Sequence, residues 1–334
     1  MAKTPVPASS PANSRPLWQR LLLRRLKFLA IVAVVLGLGA GGVYVFAPAL
    51  LLKADAARQA MSAHMEKKQV LAGDTTWSYY EGGTGPTIVL LHGFNANKET
   101  WLETAKGLTD HFRVIAPDLP GWGESSRNDG GDYGIPAQAA RLEAFAAATG
   151  AQHFLLVGHS MGGAIAGVYA SEHPERVASL VLMSSLGLTF KDNDFVRDVK
   201  AGKDPFVYDD RAGLEALLSR IFVKPPHLPG RLEDALLTRN HQDRAFIEQT
   251  FARLKEPAQA YALDPVIGKL PMPVLGVWCR DDKIIDVSAL DTLRAGLKSA
   301  PSIGATVMNG CNHMPMMEKP DETARIITGF ALAH

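Results

Sequence analysis

The sequence predicts an α/β domain: a mainly parallel sheet with helices on both faces, one inserted helical cap, and a long apolar helix ahead of it all. Three observations carry this. From about residue 70 onward, short β-rich runs alternate with helical patterns, the rhythm of a parallel sheet covered on both sides. That rhythm breaks once, between about residues 187 and 269. Residues 28–52, FLAIVAVVLGLGAGGVYVFAPALLL, carry no charge. A chain of 334 residues, 21% of them charged, is long enough for one large core plus appendages. Its formal net charge of +1 gives no reason to expect a nucleic-acid partner.

The N-terminal segment is asymmetric in charge. No acidic residue precedes Asp55, whereas Lys3, Arg15, Arg20, Arg24, Arg25 and Lys27 are basic. About 20 apolar residues span a hydrocarbon core of about 30 Å, so residues 28–52 read as a transmembrane helix. A cleaved signal peptide is the alternative, with residues 54–56 as a small-residue site, but a signal's apolar region runs only about 7–15 residues. The positive-inside rule keeps residues 1–27 in the cytoplasm and sends the rest across. In a Gram-negative bacterium this gives a single-pass inner-membrane protein with its domain in the periplasm. Residues 37–42, GLGAGG, satisfy a dinucleotide-binding pattern, but that pattern needs a strand before it and a soluble helix after it. Inside an apolar span it implies no cofactor. The row Ala33, Gly37, Gly41 has the small-residue spacing that lets two membrane helices pair, which would give a homodimer, although glycine is common in such helices anyway. Residues 53–68, KADAARQAMSAHMEKK, read as a juxtamembrane helix, with Ala57, Met61 and Met65 at i, i+4 spacing.

The domain core covers residues 69–186 and 270–334. Strands are expected at 87–91, 112–116, 154–157, 177–183, 274–278 and 305–308, with helices at 97–109, 136–149, 164–172, 288–298 and 320–332. An antiparallel pair around Val70 and at 76–81 opens the sheet. Residues 187–269 are helical in pattern, charged and punctuated by VKPPHLPG, and form the cap. There are no internal repeats.

Gly158-His159-Ser160-Met161-Gly162 fits G-x-S-x-G. A buried strand precedes it and a Gly/Ala-rich helix follows, the strand–turn–helix setting of a nucleophile elbow. The turn is sharp and crowded, which favours glycine at both ends. Alone, a serine among glycines is usually just a turn. A serine hydroxyl is a weak nucleophile until a base takes its proton, and the base needs an acid to orient it. The elbow therefore predicts an acid and then a histidine downstream, each at a strand end. VLGVWCRDDKIID offers Asp281 and Asp282, with Asp286 as a third candidate suited to capping the helix near Ser288. ATVMNGCNHMPMMEKP offers His313, the histidine of the chain's ten that lies just past the last strand. His173 reads as a helix-end residue. His159 neighbours the serine, but its side chain should leave the elbow in another direction. No metal-site spacing is present, and serine chemistry needs no metal. Cys279 and Cys311 fall at the ends of neighbouring strands, and two buried free thiols are their ordinary reading. In an oxidising periplasm they would instead pair and brace these loops, within the restrictive geometry of strand ends.

With LLHGFNANKETW (90–101) and DLPGWGES (118–125), these motifs make the sequence similar to the α/β-hydrolase superfamily over nearly everything from about residue 68 to the end. It most resembles bacterial family V lipases and esterases, and within them the membrane-anchored phospholipase A type, through wording such as APDLPGWGES, EHPERVASLVL and IIDVSALDTLR. The resemblance implies a mainly parallel eight-stranded sheet with Ser160 as nucleophile, Asp282 as acid and His313 as base. Asp282 is preferred because the family's acid stands three residues after a small strand-ending residue. Here that residue is Cys279, where the family often has glycine. The oxyanion hole would use the backbone amides of Phe94 and Met161.

The triad points to acyl-ester hydrolysis through an acyl-enzyme, and the anchor points to lipid esters, met at high effective concentration near a bilayer. The leading expectation is a phospholipase A or lysophospholipase that releases fatty acid and also cleaves short-chain esters. A cap rich in Leu, Phe and Ile would form an apolar channel for the acyl chain, though some of these residues must form the cap's own core. The alternatives are a membrane-tethered esterase or lipase for neutral acylglycerols or small esters, and an inactive hydrolase-fold interaction module.

Overall fold

The structure is a computed structural model that describes residues 16–128 and 130–334. The first half of the basic N-terminal segment, with Lys3 and Arg15, lies outside the described residues. These residues form two units, one ending at Leu51 and the other running from Leu52 to His334.

The first unit is dominated by helix α1, Leu17–Phe46, with none of its described side chains buried. Among the described residues it is the one helix long and apolar enough to cross a membrane. It starts earlier than the uncharged run, because Arg20, Arg24, Arg25 and Lys27 are good helix formers. It ends earlier too, at Ala47-Pro48, where the proline ring disfavours helical backbone in the residue before it. Ala47 has φ −145° and ψ 56°. The GLGAGG segment lies wholly within α1, so no strand precedes it and the dinucleotide reading fails.

Helix α2, Pro48–Ser62, follows, then strands β1, Met65–Ala72, and β2, Thr75–Gly82. The juxtamembrane helix expected over 53–68 therefore starts and stops about five residues early. Residues 65–68 pair as strand with 79–82 instead. Their helix propensity yields to the hairpin closed by Gly73, which takes φ 61°. The remaining elements are β3 Thr87–Leu91, α3 Leu102–Ala105, β4 Arg113–Pro117, α4 Ile135–Ala148, β5 Phe154–His159, α5 Met161–Glu172 and β6 Val177–Met183. Between β6 and β7 (Val274–Cys279) come α6 Asp194–Lys200, α7 Arg211–Ile221, α8 Gly230–Leu254 and α9 Pro257–Ala260. The chain ends with α10 Ala289–Gly296, β8 Ile303–Met308, α11 Pro315–Glu318 and α12 Pro320–Ala333. The helix expected at 97–109 is shorter, a 3-10 turn at Lys98–Trp101 followed by α3.

The eight strands form one sheet in the order β1-β2-β4-β3-β5-β6-β7-β8. β1, β2 and β4 pair antiparallel, and every pair from β4 through β8 is parallel. Alternating side chains on the central strands fill both faces. Val89, Leu91, Leu156 and Leu182 pack with α4, α5 and the β6–β7 insertion, while Ile88, Leu90, Val157 and Val181 pack with α3 and α12. A sheet covered on both sides must be apolar at every position, which is why these strands read as continuous hydrophobic runs. Functional groups are thereby left to the loops at the carboxyl ends of the parallel strands.

Candidate active site

Ser160 sits where β5 turns into α5, with φ 53° and ψ −120°, a backbone region that side chains other than glycine rarely adopt. Its amide donates to the Met183 carbonyl at 3.0 Å, and its carbonyl accepts from Gly163 at 2.9 Å and Leu186 at 3.0 Å. These bonds hold the strained turn. The glycines of the motif answer to crowding. A Cβ on Gly158 would stand 2.2 Å from the Gly162 carbonyl oxygen, and one on Gly162 would stand 2.4 Å from that of His92. The β3–α3 loop comes equally close, since a Cβ on Gly93 would meet that of Ser160 at 3.0 Å. Among the described residues neither the Phe94 amide, in this loop, nor the Met161 amide, at the first turn of α5, has a hydrogen-bond partner.

Asp282 follows β7 and His313 follows β8, and the fold brings them together. Both carboxylate oxygens of Asp282 lie 3.1 Å from His313 Nδ1. Oδ1 also accepts from the amides of Ile284 at 2.9 Å and Ile285 at 3.0 Å, which fix the carboxylate's orientation. Asp286 instead accepts from the Ser288 amide at the start of α10, and Asp281 lines a surface cavity of about 470 Å³ beside the loop. His173 is at the end of α5, 3.7 Å from Glu175. The Ser160 hydroxyl makes no hydrogen bond to His313 or Asp282 among the described residues. Such contacts are often long without substrate and tighten on binding.

Three features were not anticipated from sequence. His159 does not point away from the site: its Nε2 donates to the His313 carbonyl at 2.7 Å, and the two rings are 4.8 Å apart. Burial, with the neighbouring His313, pushes its pKa well below the ordinary imidazole range, so it is neutral. His92 ties the two motif loops together. Its Nδ1 donates to the Gly93 carbonyl at 2.8 Å, and its Nε2 accepts from the Leu119 amide at 2.9 Å. Burial lowers its pKa to about 4, matching the neutral tautomer these bonds require. Below them, fully buried Lys98 lies 2.6 Å from Asp118 and 3.2 Å from both Glu99 and Glu124. Burial opposes the Lys98 charge, but these carboxylates outweigh it and hold the ammonium protonated above its usual range. The HG pair carries a signal for His92. An ordinary loop spelling conceals Lys98.

The cysteines correct the free-thiol expectation. Cys279 and Cys311 form a disulfide, with their Cα atoms 5.4 Å apart. Parallel neighbours β7 and β8 end side by side, which brings the two Cα atoms within bridging distance. The bridge joins the strand end before Asp282 to the loop that carries His313.

The insertion lays its phenylalanines over the β3–α3 loop. Phe206 and Phe251 meet the Phe94 ring at centroid distances of 4.8 and 5.6 Å, and Phe246 meets Trp122 at 4.8 Å. These rings pack the insertion against the core.

A family model described as the alpha/beta hydrolase fold matches residues 86–320. Human monoacylglycerol lipase ABHD6 is 30% identical over 258 residues, covering 74% of this chain and 76% of that enzyme. Lipase 1 of Psychrobacter immobilis is 30% identical over 269 residues, covering 77% and 81%. Among solved structures, the crystal structure of a membrane phospholipase A, a bacterial virulence factor, superposes with a TM-score of 0.82 at 35% identity, covering 92% of this chain and 98% of that one.

Proposed function

The chain belongs to the α/β-hydrolase fold family and is a carboxylic-ester hydrolase, and from that premise we propose that it cleaves acyl esters of membrane glycerophospholipids, as a phospholipase A or lysophospholipase, through an acyl-enzyme on Ser160. In this reading Asp282 holds His313 with Nδ1 protonated, leaving the Nε2 lone pair to take the Ser160 proton as the hydroxyl attacks the ester carbonyl. The imidazolium then returns that proton to the departing alcohol, and water repeats the sequence to release the fatty acid. The free Phe94 and Met161 amides receive the charge of the tetrahedral intermediate, and losing one such donor typically costs about 10²–10³ in rate. The observation that carries the reading is Asp282 gripping His313 Nδ1 with both oxygens while two backbone amides orient it.

The phospholipid class rests on α1 and on the membrane phospholipase A to which the chain is similar. The anchor is proposed to lie in a bacterial inner membrane, with residues 1–27 cytoplasmic and the hydrolase periplasmic. Ala33, Gly37 and Gly41 on α1 would suit pairing with a second copy. A second reading, neutral acylglycerols as substrate, is favoured by the similarity to a monoacylglycerol lipase.

Purified full-length protein in detergent should hydrolyse p-nitrophenyl acyl esters, with turnover abolished in Ser160→Ala. Unchanged turnover in that variant would overturn the triad. Faster fatty-acid release from phospholipid vesicles than from an acylglycerol emulsion supports the phospholipid class, and the reverse supports the neutral-lipid reading.

A further inference from the structure

The last four carbonyls of any α-helix lack partners within the helix and must find them elsewhere. In α7, part of the β6–β7 insertion, the Leu218 carbonyl is taken by the Phe222 amide at 2.9 Å. The next three are taken by the loops that carry the acid and the base. Ser219 O accepts from Lys283 Nζ at 3.4 Å, Arg220 O from Asn312 Nδ2 at 2.8 Å, and Ile221 O from the His313 amide at 3.1 Å. Lys283 follows Asp282 and Asn312 precedes His313, so the insertion ends one of its helices on the two residues that must be held in register.

Asn312 is the joint. It is fully buried, and its Oδ1 accepts from the Lys283 amide at 2.9 Å while its Nδ2 donates to Arg220. One side chain therefore links the acid loop, the base loop and α7. Its own amide donates to Glu318 Oε2 at 2.6 Å, and Glu318 Oε1 accepts from the Val223 amide, just past α7, at 2.7 Å. Among the described residues neither side chain hydrogen-bonds to the Ser160 hydroxyl, and both act through the loops they hold.

We propose that Asn312, supported by Glu318, is a positioning residue that fixes Asp282 against His313 by locking both loops to the C-terminal end of α7. The inference rests on the triad reading. A buried amide on the base loop that bonds both the acid loop and α7 cannot keep both bonds if either moves, so Asp282–His313 geometry is set only while α7 is seated. Angular or distance errors in the pair that orients the general base act on the chemical step and leave substrate binding nearly untouched.

The test uses full-length protein and short p-nitrophenyl esters, with a fluorophosphonate as label for the serine. Asn312→Ala is expected to lower kcat by about tenfold or more with KM within about twofold, and to slow labelling by a similar factor while labelling still reaches completion. Completion shows a folded site, and the split between kcat and KM separates positioning from general destabilisation. If kcat stays within twofold, or if kcat and KM worsen together, the proposal is overturned. Should Asn312→Ala fail to fold, Glu318→Gln decides: it keeps the side chain's size and one acceptor, and a kcat loss of about threefold or more at constant KM supports the proposal, whereas constant kcat overturns it. Ser160→Ala, run alongside, reports on the triad alone, because its failure to abolish turnover would sink the triad whatever Asn312 does.

Discussion

The ring of His159 and the backbone of His313 are joined by a hydrogen bond of 2.7 Å, from a residue beside the elbow serine to the residue proposed as its base. The bond needs a proton on His159 Nε2, and burial keeps the ring neutral. His92 is held neutral as well, at about 4.

These two histidines make the fold acid-sensitive in a defined window. Their folded pKa values are depressed, so the unfolded chain takes up protons that the folded chain refuses. Stability is therefore intact above the unfolded value of about 6.5 and falls as pH drops through that value toward the folded ones. His92 should cost roughly 2 kcal/mol between pH 7.5 and 5, before most carboxylates titrate, and His159 adds a loss in the same direction. Denaturant midpoints at pH 7.5 and 5.0 in one detergent should differ accordingly. Equal midpoints would mean that the two rings are not held neutral.

Lys98 should matter to stability more than any surface charge. Its ammonium and the Asp118 carboxylate are both fully buried, and Asp118 also accepts from the amides of Lys98 and Glu124 at 2.8 Å. Removing one partner of a buried pair leaves the other uncompensated and typically costs about 3–5 kcal/mol. Lys98→Met should lower the unfolding free energy by that order, and Lys98→Met with Asp118→Asn should cost less than the two single changes added together. Additive losses in such a double-mutant cycle would show that the two groups do not act as a pair.

The Cys279–Cys311 bridge closes a loop with a sequence separation of 32 that contains α10 and β8. Loop-closure entropy assigns such a bridge about 3–4 kcal/mol. Unreduced protein should gain no mass on alkylation under denaturing conditions, and reduction or Cys311→Ser should lower the melting temperature by several degrees. Alkylation of two thiols in protein prepared without reductant would contradict the bridge.

Local composition made most of the sheet legible: Thr87–Leu91 and Val177–Met183 fall where short, continuous apolar runs rich in β-branched residues and leucine put them, because a sheet covered on both sides is apolar at nearly every position. Chain order and strand ends narrowed the acid to Asp281, Asp282 and Asp286, and the resemblance to the α/β-hydrolases singled out Asp282. Residues 65–68 misled because their helix propensity is a local property, while the strand they form is imposed by its hairpin partner. The disulfide depends on how closely two strand ends approach, a distance that no spacing along the chain encodes. His159, Lys98 and Asn312 were opaque for the same reason. Each acts through backbone groups or carboxylates remote in sequence, and a motif records the residue type without recording its partner.

The aromatic cluster over the β3–α3 loop gives a prediction about substrate length. Phe94 carries one of the two amides proposed to bind the oxyanion, and its ring is covered by Phe206 and Phe251 from the insertion. An acyl chain whose carbonyl sits at that amide must run past these rings, so their size should limit how much chain is accommodated. Phe251→Ala opens space at this point, and each additional methylene that becomes buried there is worth about 0.8 kcal/mol, roughly fourfold in kcat/KM. The ratio of kcat/KM for a p-nitrophenyl dodecanoate to that for the butyrate should therefore rise several-fold, with the butyrate value itself changed little. Because deleting a buried phenylalanine ring typically costs about 3–5 kcal/mol of stability, Phe206→Leu serves as the milder second variant, with a smaller shift in the same direction. An unchanged ratio in both variants would place the acyl chain elsewhere, and would leave these rings with a packing role between the insertion and the core.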